Sequence, residues 1–473
     1  MTTGITILDT MRDPALFGRW FEGESWRAWR VFLAALFGLP MDADAEAIYR
    51  RHTGRATAPA TPAREGWVIA GRRGGKSRIA ALVAVYLAAF RDYGHVLAPG
   101  EVGTLAVIAA DRRQARVVMR YIVGFLEGVP MLKQMVVNRT KETIELSNRV
   151  MIEVHTASFR AVRGYTLIGV IADEIAFWST DEAAADPDRE ILNGLRPGMA
   201  TTGGLLLAIS SPYARRGELW RNYREHFGKD GDPVLVWQAP TQAMNPNVDP
   251  QVIADAYAAD ESAASAEYGA EFRRDIESFV SREAVDACVI PGRRELPPCE
   301  GISYVAFVDP SGGSVDSMTM AVAHRGRQNT IVLDLIRERR APFNPSDVVT
   351  EFAETLKAYG CHMVVGDRYA AEWPRERFRA HGIDYRVADK VRSDIYRDLL
   401  PVLNSGSIEL LDHPRLIAQL CSLERRTARS GKDSIDHPPA GQDDVINAAA
   451  GAVDAALTGI TRSIGIGRLC GPI

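Results

Sequence analysis

Two groups of residues in this 473-residue chain have the types and spacing for phosphate chemistry. The first is Ala70-Gly71-Arg72-Arg73-Gly74-Gly75-Lys76-Ser77, set between an apolar run and an amphipathic helical pattern. Glycines let backbone N–H groups close around phosphate oxygens, and a helix start adds its positive end. In such a loop Lys76 reaches the β- and γ-phosphates of ATP, and the Ser77 hydroxyl ligates Mg²⁺. Gly71, Arg72, Arg73, Gly74 and Gly75 complete the candidate ATP-binding segment. Further on, the buried run Leu167 to Ala172 leads straight into Asp173-Glu174. That places Asp173 beside the nucleotide's Mg²⁺ and Glu174 where it can orient a water on the γ-phosphate. The run Leu205 to Ile209 ends in Ser210-Ser211-Pro212, small hydroxyl residues placed to sense the γ-phosphate and couple its loss to motion. Arg160 and Arg163, in the polar stretch Thr156 to Gly164, are candidates for an arginine finger on a neighbouring subunit's nucleotide.

The second group is acidic. Asp309 ends the apolar run Tyr304 to Val308, Asp367 ends Met363 to Gly366, and Asp443 and Asp444 open the last helical segment. Carboxylates from separate strand ends and a helix start can converge at one edge of a sheet. Hard oxygen ligands suit Mg²⁺ or Mn²⁺, and two such ions about 4 Å apart clamp the attacking and leaving oxygens of a phosphodiester. Which of Asp443 and Asp444 meets an ion stays open. Asp316, Asp334 and Asp436 rank lower. Arg368, Arg375, Arg377, Arg379, Lys390, Arg392, Arg425, Arg426, Arg429 and Lys432 make the surroundings locally basic, which suits a nucleic-acid backbone.

The elements that must position these groups fall into two patterns. In the N-terminal half, short apolar runs (Trp67 to Ala70, Thr104 to Ala110, Leu167 to Ala172, Leu205 to Ile209) alternate with helical segments (Lys76 to Phe90, Arg112 to Leu126). That alternation predicts a mostly parallel sheet covered on both faces. Thr143 to Leu146 and Val150 to His155, joined by Ser147-Asn148-Arg149, predict a hairpin. Asp9 to Leu39 has the spacing of one amphipathic helix whose aromatics pack on a core. An Ala-rich stretch from Pro246 to Pro298 separates the halves as a helical linker. In the C-terminal half three apolar runs come first (Tyr304 to Val308, Met318 to Ala323, Thr330 to Ile336) and helices follow, the order of an RNase H-like sheet. The expected domains are 1–245, a linker 246–300, 301–460, and a loose tail 461–473.

Composition excludes several classes. A 46% apolar, 25% charged chain is globular rather than disordered or fibrous. Its formal charge of −4 means that any nucleic-acid contact rests on local patches. Five widely spaced cysteines form no disulfide framework or zinc site. Neither a signal peptide nor a membrane span is read, so a cytoplasmic protein is expected.

Taken in order, these segments resemble the large terminase subunit of tailed bacteriophages over about Trp67 to Leu457. The arginine-bearing loop Gly71 to Ser77, the Gln114-Ala115 segment, Arg163-Gly164 leading to Asp173-Glu174, Ser210-Ser211-Pro212 and the acidic triad carry the resemblance. It implies an α/β fold with an N-terminal P-loop ATPase domain of the ASCE type and a C-terminal RNase H-like nuclease domain. It implies Arg72 as a nucleotide-sensing arginine, Glu174 as the catalytic carboxylate and Arg163 as the trans-acting finger. Asp309, Asp367 and Asp443 or Asp444 become nuclease metal ligands. The implied partners are double-stranded DNA, a portal protein, a small terminase subunit and further copies in a ring on the procapsid. An adenine-contacting motif is expected near the N-terminus, with Arg27 and Trp29 as the nearest candidates. The competing readings are a helicase-like or defence-system ATPase–nuclease, and a DNA-binding scaffold with an inactive nuclease fold.

Overall fold

The computed structural model describes residues 4–157, 164–178, 187–314, 316–367, 372–427, 433–438 and 441–459. Arg160, Arg163, Arg368, Arg429, Lys432 and the tail 461–473 lie outside the described residues. Two units part between Asp275 and Ile276.

In the first unit, β-branched and leucine-rich runs form β1 (Glu65–Ala70), β2 (Gly103–Ala109), β3 (Val136–Arg139), β4 (Thr143–Leu146), β5 (Val150–Thr156), β6 (Thr166–Asp173), β7 (Leu205–Ser210) and β8 (Val234–Ala239). The sheet order is β3-β4-β5-β2-β6-β7-β1-β8. From β5 to β8 every pairing is parallel, and the expected hairpin, β4 with β5, adds an antiparallel edge that β3 extends. The central strands are buried on both faces, which is why they read as unbroken apolar runs. The helix Lys76–Phe90 is buried almost all round from Ile79 to Ala88, as a central helix must be. The topology matters for chemistry. β7 is inserted between β1 and β6, so the ends of three adjacent strands present the phosphate loop, Ser210-Ser211 and Asp173-Glu174 side by side.

The single helix expected over 9–39 is broken into Ile7–Arg12, two short 3₁₀ turns and Arg27–Phe37. Pro14 disfavours helix at Asp13, where the first piece stops, and Gly23 adopts φ +86 before the second turn. The aromatics do pack inward: Trp29, Phe32 and Trp237 meet edge to face.

The second unit is built on β11 (Tyr304–Asp309), β12 (Met318–Arg325) and β13 (Ile331–Arg339), preceded by β9 (Ile276–Ser278) and β10 (Val289–Ile290) and followed by β14 (Met363–Gly366), β15 (Asp384–Val387), β16 (Ile408–Leu411), β17 (Glu424–Thr427) and β18 (Asp433–Asp436). Its main sheet runs β10-β16-β13-β12-β11-β14-β15. The pairings within β11-β12-β13 are antiparallel, while β14 and β15 add in parallel beside β11. That is the RNase H-like order the clustered runs predict. The helix Asp444–Thr458 lies along one face, tight enough that a Cβ on Gly451 would fall 2.3 Å from the Phe307 ring. β9 joins β17 and β18 in a small separate sheet. The stretch read as a linker is therefore shared. Its helices Pro250–Ala259 and Glu261–Glu267 belong to the first unit, and β9, Arg282–Cys288 and β10 to the second. Among the described residues no helix is long and apolar enough to cross a membrane.

Candidate active sites

The loop between β1 and the helix Lys76–Phe90 is held from several directions. Gly75 takes φ +93 and precedes the helix in left-handed conformation, which a side chain would resist. The Trp29 indole donates to the Gly74 carbonyl (2.7 Å), Thr241 Oγ1 to the Arg72 carbonyl (2.7 Å) and Asn245 Nδ2 to the Arg73 carbonyl (2.8 Å). Trp29 is thus spent on shaping the loop, and Arg27 pairs with Asp44 at 3.2 Å. Arg72 stands exposed beside Glu267 at 3.3 Å.

Lys76 is buried, and its ammonium donates to the carbonyls of Ala70 (2.8 Å) and Gly71 (3.1 Å) and to Ser211 Oγ (2.9 Å). All three of its donors are occupied. Burial lowers its pKa, and the carboxylates of Glu174 and Asp173 oppose that shift. Glu174 Oε1 lies 3.9 Å from the ammonium. Glu174 Oε2 accepts from the Ser211 N–H (3.2 Å) and lies 3.1 Å from the Ser210 hydroxyl. Glu174 has φ +49 and ψ 45, a left-handed backbone that turns its side chain back toward the loop. Asp173 is buried, which pushes its pKa up to about 7, with the Glu174 charge adding to the rise and Lys76 opposing it. Its Oδ1 has no hydrogen-bond partner among the described residues. A buried carboxylate oxygen without a donor is chemically suited to a divalent cation. Asp173 therefore fits a divalent cation beside this loop.

In the second unit, the register sets Asp309 of β11 opposite Thr319 of β12, and Thr319 opposite Glu338 of β13. Asp367 follows β14, its N–H bonded to the Val308 carbonyl at 3.3 Å. Asp444 begins the helix Asp444–Thr458. These elements converge. Asp309 has its pKa raised well above the usual carboxylate range, first by burial and then by the charges of Asp444, Asp367 and Asp443, while a hydrogen bond from Asn447 opposes the rise. Asn447 Nδ2 also reaches Asp367 Oδ2 at 3.3 Å. Asp444 is pushed up to about 6 by burial and by Asp443, Asp316 and Glu338. Its Oδ2 is buried with no hydrogen-bond partner among the described residues, as are Asn447 Oδ1 and Thr319 Oγ1. Crowded carboxylates with orphaned oxygen atoms fit divalent cations. Gly366 lets the Tyr385 ring approach: a Cβ there would lie 2.0 Å from the Tyr385 hydroxyl.

Asp443 is differently employed. Arg392 holds its Oδ1 (3.0 Å) and the Tyr396 hydroxyl its Oδ2 (2.8 Å). Of the two adjacent aspartates, Asp444 is the one with an uncommitted oxygen. Asp436, His437 and Asp443 bring ligand atoms within 4.8 Å of one another, but Arg392 already bridges Asp436 (3.4 Å) and Asp443. Asp334 bonds His324 (2.7 Å) and is not drawn into the Asp309 cluster. The basic track is narrower than its sequence suggests, because arginines and lysines find acidic neighbours on folding. Lys390 pairs with Asp398 and Asp454, Arg392 with Asp436 and Asp443, Arg425 with Asp433, and Arg426 with Glu424. Arg375, Arg377 and Arg379 remain exposed on the helix Glu372–Ala380. Sequence reasoning missed Thr319, Glu338, Asn447 and Tyr396, whose relevance appears only through strand register and helix packing.

No family model and no curated protein matches the chain. Solved structures that it resembles include the large terminase of bacteriophage HK97, 17% identical over 92% of this chain and 100% of that one, with a TM-score of 0.37. Another is the large terminase of a thermophilic bacteriophage in complex with ADP, 14% identical over 84% of this chain and 96% of that one, TM-score 0.37. A third is the large terminase nuclease of thermophilic phage G20c with bound magnesium, 17% identical over 37% of this chain and 96% of that one, TM-score 0.33.

Proposed function

We propose that this chain is a viral DNA-packaging motor of the large-terminase kind. It hydrolyses ATP to drive double-stranded DNA into a procapsid, and it cuts concatemeric DNA with a metal-dependent endonuclease. The observation that carries the reading is the meeting of Asp309, Asp367 and Asp444, from three separate elements, in a chain that also sets Lys76 against Glu174. The ordered sequence motifs support it. The working form is a ring of copies on a portal protein, served by a small terminase subunit, in the host cytoplasm.

On ATP binding, Lys76 exchanges its carbonyl and Ser211 partners for the β- and γ-phosphates, and the loop N–H groups cradle the same oxygens. Ser77 and Asp173 would hold the Mg²⁺ that accompanies the nucleotide. Glu174 orients a water in line with the γ-phosphorus; the water's oxygen bonds to phosphorus as the bond to the bridging oxygen breaks, and ADP leaves. Arg163 of an adjacent copy adds positive charge to the transferring group, and Arg72 senses the nucleotide. Because Ser211 touches both Lys76 and Glu174, and Ser210 touches Glu174, release of phosphate resets the end of β7, and that is the coupling step. At the other site, Asp309, Asp367 and Asp444 hold the cations, with Asp443 bracing Arg392 and Tyr396. Two Mg²⁺ or Mn²⁺ ions supply Lewis-acid stabilisation of the attacking and leaving oxygens.

The test is a crossed pair of variants assayed for ATP hydrolysis and plasmid cleavage. Lys76→Ala is expected to lower hydrolysis by at least about 10²-fold and leave cleavage intact. Asp309→Ala is expected to do the reverse. Equal loss of both activities in either variant would falsify the two-site reading.

A further inference from the structure

The three aspartates line only part of the acidic pocket. Direct pairing puts Asp309, Thr319 and Glu338 in one row across β11, β12 and β13, and paired residues project to the same face of a sheet. In the middle of that row Thr319 is fully buried, and its hydroxyl has no hydrogen-bond partner among the described residues. Glu338 closes the row. Its Oε1 takes both short contacts, from the Ser317 hydroxyl (2.9 Å) and the Arg415 guanidinium (3.1 Å). Its Oε2 lies 3.7 Å from the exposed Arg340. Asp444 feels the Glu338 charge, and its own Oδ2 is a buried acceptor without a donor. Two orphaned oxygens and a half-committed carboxylate thus lie on the side of the pocket away from Asp367.

We propose that Glu338 is a ligand of the second divalent cation, in a subsite formed with Asp444 and floored by Thr319, while Asp309 and Asp367 hold the first. The inference rests on the nuclease reading above. The charge balance favours it over a purely structural ion pair. Asp309, Asp367, Asp444 and Glu338 bring four carboxylates to the pocket, Asp316 adds its charge at Asp444, and Arg415 pairs with Glu338, while Asp443 is matched by Arg392. One divalent ion leaves that set negative and hostile to a phosphodiester. Two ions bring it close to neutral, which an anionic substrate tolerates. Arg415 then acts as a positioning residue, keeping Glu338 turned into the pocket, and its second contact, to Gln442 Oε1 (3.1 Å), ties it to the segment that delivers Asp444.

The test is Mn²⁺ titration calorimetry on the full chain at about pH 7.5 without nucleotide, with metal-free melting temperatures as a check on folding. Wild type is expected to bind two equivalents, of which Asp309→Ala loses the first. Glu338→Gln, which can still bond Ser317 and Arg415, should keep one equivalent and weaken the other by about tenfold or more. Thr319→Val, nearly the same shape, should weaken that same equivalent by a few fold. Two equivalents of unchanged affinity in both variants would overturn the proposal, as would a wild type that binds only one equivalent. If no equivalent depends on Asp309, the nuclease reading itself fails and takes this one with it. Should Glu338→Gln melt at assay temperature, Thr319→Val decides alone.

Discussion

Around Lys76, charge is compensated by the protein itself. The ammonium has three oxygen partners within 3.1 Å and a carboxylate at 3.9 Å. Around Asp309, carboxylates crowd together and several acceptor oxygens have nothing to accept among the described residues. The contrast shows two ways of preparing for phosphate. One site keeps its cation built in and parked on carbonyls, ready to change partners. The other gathers carboxylates in excess of its guanidinium groups, and on the proposed reading dissolved cations supply the balance, so that its stability and activity would depend on the medium.

Four experiments would undo or refine that contrast. Glu174→Gln should cut ATP hydrolysis by about 10³-fold with nucleotide affinity retained, as for loss of a residue acting in the chemical step; equal loss of affinity would make Glu174 a scaffold for Ser211 instead. Asp444→Asn should lower cleavage by about 10²-fold, reversible in part by excess Mn²⁺. Asp443→Asn should act chiefly on the melting temperature, since it disturbs the Arg392 and Tyr396 contacts. If the two variants exchange phenotypes, the assignment of the metal-facing aspartate is reversed.

The third concerns pH. Asp444 titrates near 6 in the fold, above the ordinary carboxylate value, and Asp309 is raised as well. A raised folded pKa means the protonated form is the one the metal-free fold prefers. Both groups therefore favour folding at low pH, and the Asp444 contribution is lost as pH rises through about 6. Mn²⁺ needs the ionised form. Its stabilising shift in melting temperature should be small at about pH 5 and grow by about pH 7.5; a pH-independent shift would mean that the carboxylates are not crowded. The smallest effect is expected from Trp29→Phe, which loses one hydrogen bond to the loop and should weaken ATP binding by about two- to tenfold.

Much of this was legible in the chain because strand ends announce themselves. An apolar run that stops at Asp173, Asp309 or Asp367 marks where a sheet meets solvent, and a glycine-rich turn before a lysine marks a helix start. What could not be read is whatever depends on register or distance. Glu338 sits in Arg337-Glu338-Arg339-Arg340, which looks like ordinary surface charge until β13 is paired with β12. Asp443 stands at the N-cap of the last helix and Asp444 is its first residue, and only the neighbours Arg392 and Tyr396 tell their roles apart. Trp29 serves a carbonyl 45 residues away, beyond the reach of any local pattern. The basic residues of the second half misled for a related reason, since their acidic partners are brought beside them only by folding.

Glu174 also bears a local strain. Its left-handed backbone costs a residue with a Cβ on the order of 1 kcal/mol, and glycine would feel no such cost. A Glu174→Gly chain would thus be relieved of that tension at the moment it lost the carboxylate proposed to orient the water. On that proposed role, sturdiness and turnover pull against each other at this position, and the glutamate sits on the tenser side.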